Sequence, residues 1–215
     1  MKDRDKLIIA IIAVLLIIGI VGGATFAYWS WASNTTQQTN VSFTVSQSAL
    51  EGQLYANLDG GGETTFSNLA PVSSCTNSTY AMKKTLTLKY KNATANPANI
   101  YATLTLSDFE INHGSLQGNE LSHIHYAVTD SPSSCDSPIS GMSGTFTATS
   151  GALFSNVNIL GTSIPANTTT EQTKTLYLYV WIDEDYEHTN YGDDIDDPLQ
   201  NMSFNLTWSG NITNE

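Results

Sequence analysis

Eight acidic residues fall between Asp183 and Asp197: Asp183, Glu184, Asp185, Glu187, Asp193, Asp194, Asp196 and Asp197. Carboxylates packed this densely are hard oxygen ligands, and Ca²⁺ gathers about six to eight such oxygens. The candidate calcium ligands are Asp183, Asp185, Asp193, Asp194, Asp196 and Asp197. The spacing is not that of an EF-hand loop, which needs glycine at its sixth position and glutamate at its twelfth. The competing expectation is a solvated acidic loop that blunts a sheet edge.

A second cluster is His123-Ile124-His125. On a strand, two residues of rise put both imidazoles on one face about 7 Å apart. Joined by His113 or His188 they could hold zinc. The plainer reading is a pair of surface or half-buried histidines. No His-Glu-x-x-His, Gly-x-Ser-x-Gly, phosphate-binding loop or dinucleotide fingerprint is present. No residue is assigned a catalytic role, and the expectation is a protein that is not an enzyme and needs no cofactor beyond a possible calcium ion.

The chain holds two cysteines, Cys75 and Cys135, in similar turn-like contexts, Ser73-Ser74-Cys75-Thr76 and Ser133-Ser134-Cys135-Asp136. An even pair in an exported chain forms a disulfide more often than two free thiols. Export itself is read from the first thirty residues. Lys2, Arg4 and Lys6 precede an unbroken apolar run from Leu7 to Val21, and Gly22-Gly23-Ala24-Thr25-Phe26-Ala27 follows. Positive flank, apolar core and small-residue site make a secretory signal, with cleavage between Ala27 and Tyr28 by a signal peptidase. The alternative is an uncut anchor over 7–31, roughly 37 Å as a helix at about 1.5 Å per residue. That length crosses a bilayer core of roughly 30 Å, with Trp29 and Trp31 at the far interface. Either way residues 28–215 form an extracellular domain, long enough to bury one good core.

Eight basic residues stand against twenty acidic ones, for a net charge of −12. Such a chain repels nucleic acid and anionic lipid, so neither is an expected partner.

The elements that must position these residues are strands. Val41, Phe43 and Val45 alternate with polar residues, and so do Leu86, Leu88 and Tyr90, then Ile100, Ala102, Leu104 and Leu106. The last two runs flank an Asn-rich turn and are expected to pair antiparallel. Over 173–182, Leu176, Leu178, Val180 and Ile182 share one face and Tyr177, Tyr179 and Trp181 the other. That strand is either covered on both sides or carries an exposed aromatic ladder. Phe204, Leu206 and Trp208 end the domain. About nine or ten short strands without an amphipathic helix give an all-β jelly roll or β-sandwich as a single domain.

Three stretches carry a resemblance. Gly22-Gly23-Ala24-Thr25-Phe26-Ala27-Tyr28-Trp29-Ser30 closes the apolar segment. Tyr177-Leu178-Tyr179-Val180-Trp181-Ile182-Asp183, an acidic loop, Pro198-Leu199-Gln200-Asn201 and Ser203-Phe204-Asn205-Leu206-Thr207-Trp208 close the chain. Phe66-Ser67-Asn68-Leu69-Ala70-Pro71 is a weaker third. In these stretches the chain resembles the TasA/camelysin family of exported proteins. The resemblance implies a jelly roll, a dedicated signal peptidase and assembly into extracellular fibres of the biofilm matrix. It also implies donor-strand growth, in which Val41, Phe43 and Val45 complete the sheet of the next copy. Cys75 and Cys135 are not part of the family pattern, and 108–161 has no match to it. The alternative function is a membrane-anchored cell-surface domain for binding or adhesion.

Overall fold

The computed structural model describes residues 42–45, 54–60, 63–66, 69–111, 115–116, 120–184, 199 and 202–214. Ala27, Tyr28, the 7–31 stretch and Val41 lie outside the described residues, so the cleavage site and anchor readings are not addressed by it. Among the described residues no helix is long and apolar enough to cross a membrane.

The described chain is a two-sheet β-sandwich. Its strands are β1 (Ser42–Val45), β2 (Leu54–Asp59), β3 (Glu63–Phe66), β4 (Pro71–Val72), β5 (Met82–Asn92), β6 (Ala98–Glu110), β7 (Ile124–Thr129), β8 (Ser143–Thr145), β9 (Gly151–Asn158), β10 (Thr168–Asp183) and β11 (Ser203–Asn214). The only helical element described is a 3-10 turn, Glu120–His123. One sheet runs β1-β11-β6-β9, with β3 also on β11. The other runs β2-β5-β10-β7-β8, with β4 also on β10. Neighbours are antiparallel except β1 on β11 and β4 on β10.

Period-two alternation builds the core. Leu86 and Leu88 of β5, Ile100, Ala102, Leu104 and Leu106 of β6, Leu176 to Ile182 in alternation on β10, and Phe204, Leu206 and Trp208 of β11 all point between the sheets and are buried. Each large side chain removed from water in this way is worth about 1.5–3 kcal/mol. The rings interlock edge-on: Phe146 on Phe204 at 5.1 Å and Phe154 on Trp208 at 5.6 Å between centroids.

The expected pairing of β5 with β6 is corrected. They belong to different sheets, and the turn over 93–97 carries the chain across the sandwich. Asn92 makes that crossing. Its side chain is fully buried, donates to the Asn96 carbonyl at 2.8 Å and accepts from the Thr94 backbone and hydroxyl. A turn tied inward this way cannot fold flat into a hairpin.

β10 is covered on both sides. Its Leu/Val/Ile face lies in the core, and Tyr179 on the opposite face is also fully buried. The cover is a pair of loops, 73–80 and 130–136, joined by the Cys75–Cys135 disulfide with its Cα atoms 6.4 Å apart. The Tyr179 hydroxyl donates to the Ser131 carbonyl at 3.1 Å. Burial, and then the neighbouring Tyr177, holds that hydroxyl above its ordinary pKa, so it stays a donor at neutral pH. Lys83 spans the same cover, donating to the Pro132 carbonyl at 3.1 Å with its ammonium 5.7 Å from the Tyr177 ring centre.

One glycine is required by geometry. Gly60 ends β2 with φ +76°, and a Cβ there would meet the Thr85 carbonyl oxygen at 2.6 Å.

The bridge spans a sequence separation of 60, for which chain entropy alone gives roughly 4 kcal/mol. Replacing both cysteines with alanine is expected to lower unfolding free energy by about 2–4 kcal/mol in urea denaturation. Thiol alkylation of the native protein without reductant should add nothing, and two added groups would refute the bridge.

Candidate functional site

The titratable side chains that the fold brings together are His123, His125 and Asp183. The β7–β10 register sets His125 opposite Trp181 and Ile124 opposite Ile182. Odd-numbered residues of both strands therefore share the outer face, and His123 and His125 arrive beside Asp183. The 3-10 turn ends at His123, immediately before β7.

Asp183 accepts from both rings. His123 Nδ1 lies 3.0 Å from Oδ1, and His125 Nε2 lies 2.9 Å from Oδ2. Facing an ionised carboxylate, Nδ1 of His123 and Nε2 of His125 are the donors. The His125 ring stacks on Trp181, 5.2 Å between centroids and 20° from parallel. Partial burial alone would raise the Asp183 pKa, but the hydrogen bonds and charge of the two histidines outweigh it and hold the carboxyl below its usual range. The His123, His125 and Asp183 side chains are 24%, 31% and 29% exposed, so water moderates these attractions.

Histidine and acidic clusters that looked separate in sequence thus meet through Asp183. The signal was available in the alternation: 125, 181 and 183 are odd-numbered residues on neighbouring strands and 123 lies just before the first, but which strands neighbour each other is not local information. Asp183 is the one candidate calcium ligand within the described residues, and both its oxygens face imidazole nitrogens. Asp185, Asp193, Asp194, Asp196 and Asp197 lie outside the described residues, as do His113 and His188. Among the described residues no group of three His, Cys, Asp or Glu side chains is arranged to hold a metal ion. Phe43 and Val45 of the donor segment fall in β1, which pairs with β11 of its own chain, Phe43 opposite Gly210 and Val45 opposite Ile212.

No family model matches this chain, and no curated protein matches it.

What the arrangement does chemically is hold a charge in place. An ionised Asp183 with two fixed imidazole donors closes the end of β10 where the acidic stretch begins. Because its pKa is depressed on folding, the stabilisation is full above the unfolded value and fades as pH falls through the lower folded one. Asp183→Asn is expected to lower stability by about 1 kcal/mol at neutral pH. The gap between variant and parent should close on acidification from about pH 5 to about pH 2. Melting curves across that range check it, and a gap independent of pH would refute it.

Proposed function

We propose that this chain is a structural subunit of an extracellular fibre or biofilm matrix. In this reading the apolar stretch 7–27 exports it, and Val41, Phe43 and Val45 form the strand that one copy donates to the next. The resemblance of its ends to the TasA/camelysin family agrees with this, and a disulfide is compatible with an extracellular location.

We further propose that the sandwich is a jelly roll. The support is its strand order. β3-β11-β6-β9 lies over β5-β10-β7-β8, and successive strands of the eight pass back and forth between the sheets except at the β7–β8 pair. Those eight strands make a closed set without β1.

The observation that carries the fibre reading is the divided edge of β11. β3 pairs with Phe204 to Thr207 only. The next stretch of that edge, Ser209 to Ile212, is filled by β1, running parallel to it. Without β1, this stretch of the final strand would present unpaired backbone groups along its open edge. Any chain supplying the same four residues in the same direction satisfies them equally well. When a neighbour's β1 fills the slot, the contact is head-to-tail, and it propagates as an open filament instead of closing as a dimer. The pairing within one chain is then the resting form of the same joint.

Deleting 28–45 from the exported protein is expected to leave a soluble monomer that a synthetic peptide of that stretch binds. Register supplies the sharper test. Thr44 lies opposite Asn211. With Thr44→Cys and Asn211→Cys introduced together, oxidised filaments should run as a ladder of linked subunits on a non-reducing gel. Linked monomers alone, or filaments from the deleted protein, would overturn strand donation and favour the anchored adhesion domain.

A further inference from the structure

We propose that a cleft at one end of the sandwich, between Tyr90, Lys174 and the segment Leu160–Pro165, binds an acidic saccharide, a glycan bearing uronate carboxylates. This does not rest on the fibre reading, since monomer and filament both carry the cleft.

The cleft opens where the inner faces of β10 and β5 become less covered. Along the inner face of β10, residues 176 to 182 are buried, but Lys174 is half-exposed and Gln172 fully exposed. β5 behaves alike: Leu88 is buried and Tyr90, next on the same face, is half-exposed. Register sets Tyr90 opposite Gln172 and Leu88 opposite Lys174. The space above them holds about 430 Å³, within the usual size range of ligand sites.

The far wall is held rigid. Ala98 and Ile164 exchange backbone hydrogen bonds of 3.0 and 2.7 Å. The buried Asn92 amide reaches the Ile164 and Pro165 carbonyls at 3.4 and 3.3 Å, and the Thr168 hydroxyl donates to Pro165 at 2.8 Å. A wall fixed from behind costs little ordering when a ligand arrives.

The chemistry of the lining selects the ligand. The Tyr90 hydroxyl, the Thr162 hydroxyl and the Lys174 ammonium have no hydrogen bond or ion pair with another described residue. By contrast, Lys89 pairs with Asp59 at 3.4 Å, and Lys83 is held by Pro132. In a chain with eight basic and twenty acidic residues, an ammonium in a recess with no anionic partner among the described residues suits an anionic ligand. A tyrosine ring beside hydroxyls and an amide suits the apolar face and hydroxyl rim of a sugar. A carboxylated sugar satisfies the ring, the hydroxyls and the ammonium together.

The test is titration of the full-length protein with a short oligogalacturonate, followed by calorimetry and by amide shifts in NMR. Binding is expected, with shifts centred on Tyr90, Thr162 and Gln172, and it should weaken as salt rises. Lys174→Gln should weaken it about tenfold, the loss of one charge-assisted hydrogen bond, with an unchanged melting temperature. Lys89→Gln should leave it unaltered. A neutral cello-oligosaccharide binding as tightly would overturn the role of the anion. An oligoglutamate peptide binding as tightly would overturn the choice of a sugar. Absence of shifts at these residues in the parent protein would overturn the site.

Discussion

β10 is buried along one face and, at Tyr179, on the other, and the rest of the domain is arranged around that fact. A strand in an antiparallel sandwich needs one covered face; the other usually meets water. Here the sequence Leu176-Tyr177-Leu178-Tyr179-Val180-Trp181-Ile182 offers large side chains on both. The core takes one set. The other is roofed in its middle by two polar loops that have almost no hydrophobic content of their own. Such loops have little reason to lie flat on a sheet. The Cys75–Cys135 bridge and the Tyr179–Ser131 hydrogen bond supply that reason. The disulfide is therefore more than a limit on the unfolded chain, because it holds down the second layer over the sheet.

The same strand distributes different environments along its length. Its middle is dry on both sides. Its last residue, Asp183, is partly wet and gripped by two histidines. Its first residues leave the shelter of the opposite sheet and form one side of the cleft beside Tyr90. Packing, charge fixation and ligand access are thus assigned to successive segments of one sixteen-residue strand.

Much of this was legible before any coordinates. The alternation of β5, β6, β10 and β11 placed their inner faces, and the choice between a covered strand and an aromatic ladder was posed correctly by the two large faces of β10. What was not legible was long-range. β5 and β6 look like a hairpin because turn chemistry is local, but the buried Asn92 belongs to a crossing between sheets. Pro71–Val72 pairs as a two-residue strand too short to leave a period. The His123–Asp183–His125 contact joins residues about sixty apart, which no local pattern reveals.

The strand orders hold one more consequence. In one sheet β1, β3 and β6 all pair with β11; in the other β4, β5 and β7 all pair with β10. Both hubs lie beyond residue 167 of a 215-residue chain. A ribosome or a translocation channel releases the amino end first. Until the last stretch emerges, the earlier strands have only the partial ladders β2–β5, β6–β9 and β7–β8, each with an open flank. Completion therefore waits for β10 and β11, with contacts that reach far back along the chain and the slow closure such contacts bring. A chain stopped before Thr168 would lack both hubs at once and leave no smaller version of the domain.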